Sequence, residues 1–219
     1  MTEQEWLAGN DPQLMLDFLF THPSYSERKM RLFAVACYWQ VSELQWDEPL
    51  LEAEINAIEQ YADGLISRDD LRAVSLAHYR QLFPSEEDSA LRIVELEADY
   101  ALQTAEWAAG LARSGGPHGE GRSWPVGTAE AKQAHLLRDF FGNLFRPESI
   151  DPSWLAWNDQ AIPKLARAIY DECRFEDLSI VADALEQAGC TNHDILVHCR
   201  DKGEHARGCW LLDLLLNRT

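Results

Sequence analysis

The chain has 219 residues, with 37 acidic and 19 basic side chains, a formal charge of −18 and 46% hydrophobic residues. That apolar content can bury a sizeable core, which excludes a disordered chain. A pI near 4.6 opposes direct nucleic-acid binding, because phosphates need a cationic surface. No apolar run approaches the roughly 18–20 residues that span a bilayer, so no membrane partner is expected.

The opening residues Met1-Thr2-Glu3-Gln4-Glu5 lack the basic start and apolar stretch of a secretory signal. The cysteines, Cys37, Cys173, Cys190, Cys199 and Cys209, are odd in number. Both features point to reduced thiols and a cytoplasmic location.

In chain order the pattern is helix after helix. Thr2 with Glu5 has capping-box spacing, and Asp11-Pro12 places an N-cap before a proline at the first helical position. Ser24 with Glu27 repeats the box before a helix over 28–44, where Met30, Phe33, Ala34, Cys37, Tyr38 and Val41 recur at intervals of three and four. A helix over 48–66 carries Leu51, Ile55, Ile58, Ala62 and Leu65 on one stripe and Glu48, Glu52, Glu59 and Asp63 on the other. Asp69 opens the next, which ends near Phe83-Pro84. The longest helix is expected over 86–113, with two apolar stripes that place it at the centre of an N-terminal bundle.

Residues 114–127 hold Gly115, Gly116, Pro117, Gly119, Gly121, Pro125 and Gly127, the composition of a loop or linker. Helical period returns over 128–141 and breaks at Gly142. It restarts at Asp151-Pro152 and again over 159–173, then over 178–188 before Gly189, over 192–200 before Gly203, and over 204–216. No run alternates like a strand. The expectation is an all-α protein with an acidic helical bundle at 1–113, a connector at 114–127 and a compact stack of short helices at 128–219.

Charge divides the chain unevenly. Residues 1–113 hold 21 acidic and 8 basic side chains, and residues 114–219 hold 16 and 11. Glu48, Glu52, Glu59, Asp63, Asp88, Glu95, Asp99 and Glu106 fall in helical stripes. A soluble acidic surface is the ordinary reading of such stripes; the functional one is a face that attracts a basic protein.

The segment 136–216 resembles a helical module recurrent in uncharacterised bacterial proteins. The resemblance rests on Leu136-Leu137-Arg138-Asp139, Phe145-Arg146-Pro147, Ala188-Gly189-Cys190 and His205 through Trp210 with Asp213. It implies a small helical domain and carries no assigned activity.

Catalytic signatures are missing: no His-Glu-x-x-His, Gly-x-Ser-x-Gly, Walker loop or Cys-x-x-Cys occurs. His135 and Asp139 share a helix face at i, i+4, a spacing that can orient an imidazole for acid–base work, although a surface pair is its ordinary reading. The dense constellation is Cys190, His193, His198, Cys199, His205 and Cys209. Thiolate and imidazole are the ligands zinc prefers, and four of them close a structural site. Cys190, His198, His205 and Cys209 are the candidate set, with His205 and Cys209 on one face of the expected last helix. Against this, cysteines beside apolar residues also serve as small hydrophobes. Two functions follow: a non-enzymatic adaptor or immunity-type protein engaging a basic protein, or a zinc-stabilised protein.

Overall fold

The computed structural model describes residues 1–42, 49–82 and 128–218. The expected helix at 86–113 and the Gly/Pro-rich segment 114–127 lie outside them, as do Glu48, Asp88, Glu95, Asp99 and Glu106. Among the described residues the chain is all helical. The α-helices are α1 (Glu3–Ala8), α2 (Pro12–Phe20), α3 (Glu27–Ser42), α4 (Pro49–Ala62), α5 (Arg68–Leu82), α6 (Thr128–Phe141), α7 (Pro152–Glu172), α8 (Leu178–Gln187), α9 (His193–Arg200) and α10 (Trp210–Leu216). A 3₁₀ turn, Phe175–Asp177, precedes α8. No helix among the described residues is long and apolar enough to cross a membrane.

The chain divides into two compact units: Met1–Ser24 with Ala131–Thr219, and Tyr25–Glu130. The expected boundary after residue 113 therefore misplaces the first 24 residues, which fold with the C-terminal segment. Their contacts give the reason. The Trp6 side chain is fully buried, and its indole N–H donates to the Gly142 carbonyl at 2.8 Å. Arg138 donates to the carbonyls of Trp6 and Gly9 at 3.0 and 2.8 Å, placing a cation at the C-terminal end of α1, where the helix dipole favours it. Phe18 stacks on Phe145 with ring centroids 5.7 Å apart.

The caps that start this segment follow the sequence. Thr2 and Glu5 form the reciprocal capping box, and the Asp11 carboxylate accepts from the N–H groups of Gln13 and Leu14. Ser24 is not the cap of α3: Ser26 Oγ accepts from Lys29 N–H at 3.4 Å.

The C-terminal stack is built on one apolar cluster that includes Ile162, Ile169, Tyr170, Val181, Leu185, Ile195, Leu211 and Leu215. Helix α7 is broken where the sequence pattern restarts. Trp157 is extended, and Asn158, Asp159 and Gln160 adopt left-handed angles. Asn and Asp tolerate that region better than other residues with side chains. Pro163 then falls in the first turn after the break, where its missing N–H leaves no helical bond unmade. Gly189, at φ +92, closes α8, with Cys190 N–H returning to the Leu185 carbonyl.

The expected helix over 204–216 is wrong in its first half. Residues 201–209 are irregular and only Trp210–Leu216 is helical. Gly208 takes φ +98, and Ala206 N–H donates to the Asp139 carboxylate instead of a helical carbonyl. The side chain of a distant helix thus overrides local period.

Within residues 25–130, α3, α4 and α5 pack around Val35, Tyr38, Ile55, Ala57, Ile58 and Leu71. Leu65, expected on the apolar stripe, lies beyond α4 and is exposed.

Candidate metal centre

Helix α6 supplies Asp139, α9 supplies His198, the irregular segment supplies His205, and Cys209 is the N-cap position of α10. One potential ligand atom from each of these four lies within 4.8 Å of every other. Three of the four residues expected from the sequence, His198, His205 and Cys209, are thus brought together.

The fourth is Asp139, not Cys190. Cys190 is buried in the apolar cluster of the stack, where its small hydrophobic side chain fills space. His193, at the first turn of α9, is likewise outside the group, and Cys199 is buried in the same apolar cluster. Sequence pattern missed Asp139 because its i, i+4 partner His135 suggested a surface pair. The carboxylate is instead buried, and it faces residues 66 positions away.

Asp139 is the hub. Its Oδ1 lies 2.5 Å from His205 Nδ1 and 3.6 Å from His198 Nε2, and its Oδ2 accepts from Ala206 N–H at 3.3 Å. His198 Nε2 is 3.0 Å from Cys209 Sγ, while its Nδ1 accepts from the Trp210 indole N–H at 3.2 Å. The His205 side chain is 4% exposed and its Nε2 is buried with no hydrogen-bond partner; His135 Nε2 is in the same condition. The His135 ring fills the space that a side chain at Gly203 would need: a Cβ there would lie 2.3 Å from His135 Cε1 and Nε2.

Burial lowers the His198 pKa to about 4, so its ring is neutral near pH 7. For His205 burial acts in the same direction, but the hydrogen bond to Asp139 and its charge outweigh it and hold the pKa above the ordinary histidine value. Burial pushes the Cys209 thiol well above its ordinary value. A protonated, inaccessible thiol is a poor nucleophile. The arrangement therefore does not support covalent catalysis by Cys209, although an imidazole stands beside it.

The donor set does fit a metal. Two imidazoles, a thiolate and a carboxylate match the ligands of tetrahedral zinc. Bond lengths of about 2.0–2.3 Å put tetrahedral ligands roughly 3.3–3.6 Å apart. The 3.6 Å separation already meets this, and the two hydrogen-bonded separations need to open by only about an ångström or less.

His205 and Arg207 reach an acidic group and carbonyls of other helices. Arg207 donates to the Tyr170 and Asp171 carbonyls at the end of α7. Of the acidic residues proposed to meet a partner, Glu52 is exposed and Glu59 half-buried. Asp63 is turned inward: Arg28 Nη2 lies 2.9 Å from its carboxylate, whose side chain is 4% exposed. An inward ion pair removes it from any docking face.

No protein-family model, curated protein or solved structure matches the chain.

Proposed function

We propose that the unit formed by residues 1–24 and 131–219 is a metal-stabilised helical module whose ion is zinc, held by Asp139, His198, His205 and Cys209. The observation that carries this reading is the convergence of four zinc-type donors within 4.8 Å from three separate stretches of chain. An ion at that point would tie α6, α9, the 201–209 segment and α10 together. It would also lower the thiol pKa enough to make Cys209 a thiolate, which the buried site alone does not do. Elemental analysis of untagged protein tests the reading. About one zinc per chain is expected, and less than about 0.1 overturns it, since structural zinc is retained near stoichiometry. Cobalt substitution adds a second readout, a sulfur-to-metal charge-transfer band that disappears in Cys209→Ser.

The net charge of −18 supports a second reading, which concerns partners and not the metal: a non-enzymatic adaptor or immunity-type protein that engages a basic protein. Attraction of that kind is screened by salt. Capture of a basic protein at low salt, and its release at about 0.5 M salt, is expected; capture of no partner at either salt overturns it.

A further inference from the structure

The Trp210 indole is a hydrogen-bond donor only. Its N–H points at His198 Nδ1 at 3.2 Å, which makes that nitrogen the acceptor and leaves the proton of the neutral ring on Nε2. Nε2 is the atom that faces Cys209 Sγ and Asp139 Oδ1. It is therefore the atom a metal in this cluster would need, and it is occupied by a proton. To ligate through Nε2 the neutral ring must move its proton to Nδ1, where it would meet the indole N–H, donor against donor.

The indole packs against Gly142 and the His198 ring. Its ring lies against Gly142, where a Cβ would sit 3.2 Å from Trp210 Cγ, and Gly142 holds φ +64. Its centroid is 4.8 Å from that of His198. Trp210 also follows Cys209 directly, so the group that selects the tautomer is covalently tied to the thiol.

We propose that Trp210 is a positioning residue that opposes metal loading, by holding His198 in the tautomer whose Nε2 carries a proton. The proposal rests on the zinc reading of the same site. Ordinary metal-bound histidines donate their outer N–H to a carboxylate, carbonyl or water, which favours the ligating tautomer. Here the outer nitrogen meets a donor, so the orienting contact has the opposite sign. The consequence is a site that gives up part of its affinity, and zinc binding is accompanied by loss of the indole hydrogen bond.

Zinc affinity of the full chain and of Trp210→Phe, measured by competition with a chromophoric chelator, tests this. Phe keeps a ring over Gly142 and removes the N–H. Because the net value of one neutral hydrogen bond is modest, Trp210→Phe is expected to bind zinc roughly three- to tenfold more tightly. A purely structural role for the indole predicts weaker binding instead. ¹⁵N NMR of the His198 ring in the wild-type chain supplies a readout that does not depend on the variant folding. The proton is expected on Nε2 without zinc and on Nδ1 with it. Equal or weaker binding by Trp210→Phe, or a proton on Nδ1 before zinc is added, overturns the inference while leaving a zinc-binding wild type, and so the metal reading, intact. No zinc bound by either protein overturns both.

Discussion

Both units bury charged side chains, and they satisfy them differently. In residues 25–130, Glu54 meets His78 across α4 and α5 at 2.5 Å, and Arg28 meets Asp63 at 2.9 Å. Both of these buried carboxylates are answered by a basic group from another helix. In the other unit a single carboxylate, Asp139, serves two imidazoles beside a buried thiol. Convergence of four potential ligand atoms on one point, not charge or burial, is what separates a candidate site from structural pairs.

The largest test of that difference is zinc itself. At a thousandfold excess over its Kd, a ligand that binds only the folded state adds about 4 kcal/mol of stability. Denaturant unfolding with and without zinc should show a gain of that order, lost in Cys209→Ala. Cys190→Ala and His78→Ala should each keep the gain, because neither residue belongs to the group, even though both lower the baseline. A zinc response abolished equally by His78→Ala would erase the distinction between the two clusters.

Acid offers the next test, and its sign follows from the two histidines. Neutral His198 is favoured in the folded state, so the unfolded chain binds more protons between its ordinary value near 6.5 and the folded value near 4. Its contribution is fully present above 6.5 and is lost as pH falls toward 4, up to about 3 kcal/mol. His205, with a raised pKa, acts oppositely: it stabilises below its ordinary value and that contribution fades as pH rises through the folded value. Metal-free His198→Gln should therefore show a shallower loss of stability from pH 6.5 to 4 than the wild type. An unchanged slope would mean that His198 is not buried in its neutral form.

How much of this was legible beforehand depended on the range of the interactions. Caps at Thr2, Asp11 and Gly189 involve atoms within a few residues, and local spacing located them. The break in α7 was also readable, because Asp159 and Pro163 act locally. Docking of residues 1–24 was not: Trp6 and Arg138 meet across 132 positions, and no periodicity says which helix will receive an apolar face. The site was half readable for the same reason. His198, His205 and Cys209 cluster in sequence, whereas Asp139 enters from α6 and reshapes 201–209 into the irregular segment that a helical pattern had concealed.

That reshaped segment makes a smaller prediction. Gly203→Ala would drive its new methyl into the tip of His135. Overpacking typically costs about 1–3 kcal/mol, and the lower part of that range, about 1–2 kcal/mol, is expected because a ring tip yields more easily than backbone. His135→Ala in the same chain should recover most of the loss, a coupling that a double-mutant cycle reads directly. Additive losses would show that the two residues do not share space.

The smallest effect bears on which unit owns the first 24 residues. Asp11 Oδ1 accepts from the backbone N–H groups of Gln13 and Leu14 at 3.0 and 3.2 Å. Those donors have no partner within the first turn of α2, and Pro12 needs none. Helix α2 carries Met15, Leu16 and Leu19 into the interior, so its frayed state would expose apolar surface as well as backbone. Replacing an N-cap Asp by Ala costs about 1 kcal/mol, whereas Asn keeps the accepting oxygen and should cost far less. Because residues 1–24 fold with 131–219, Asp11→Ala should lower the unfolding transition that responds to zinc and leave a zinc-insensitive transition where it was. Trp6 anchors the same segment through Gly142, the residue on which Trp210 rests. Loss of stability confined instead to the zinc-insensitive transition would place the N-terminal helices with residues 25–130, and the comparison between the two units would have to be redrawn.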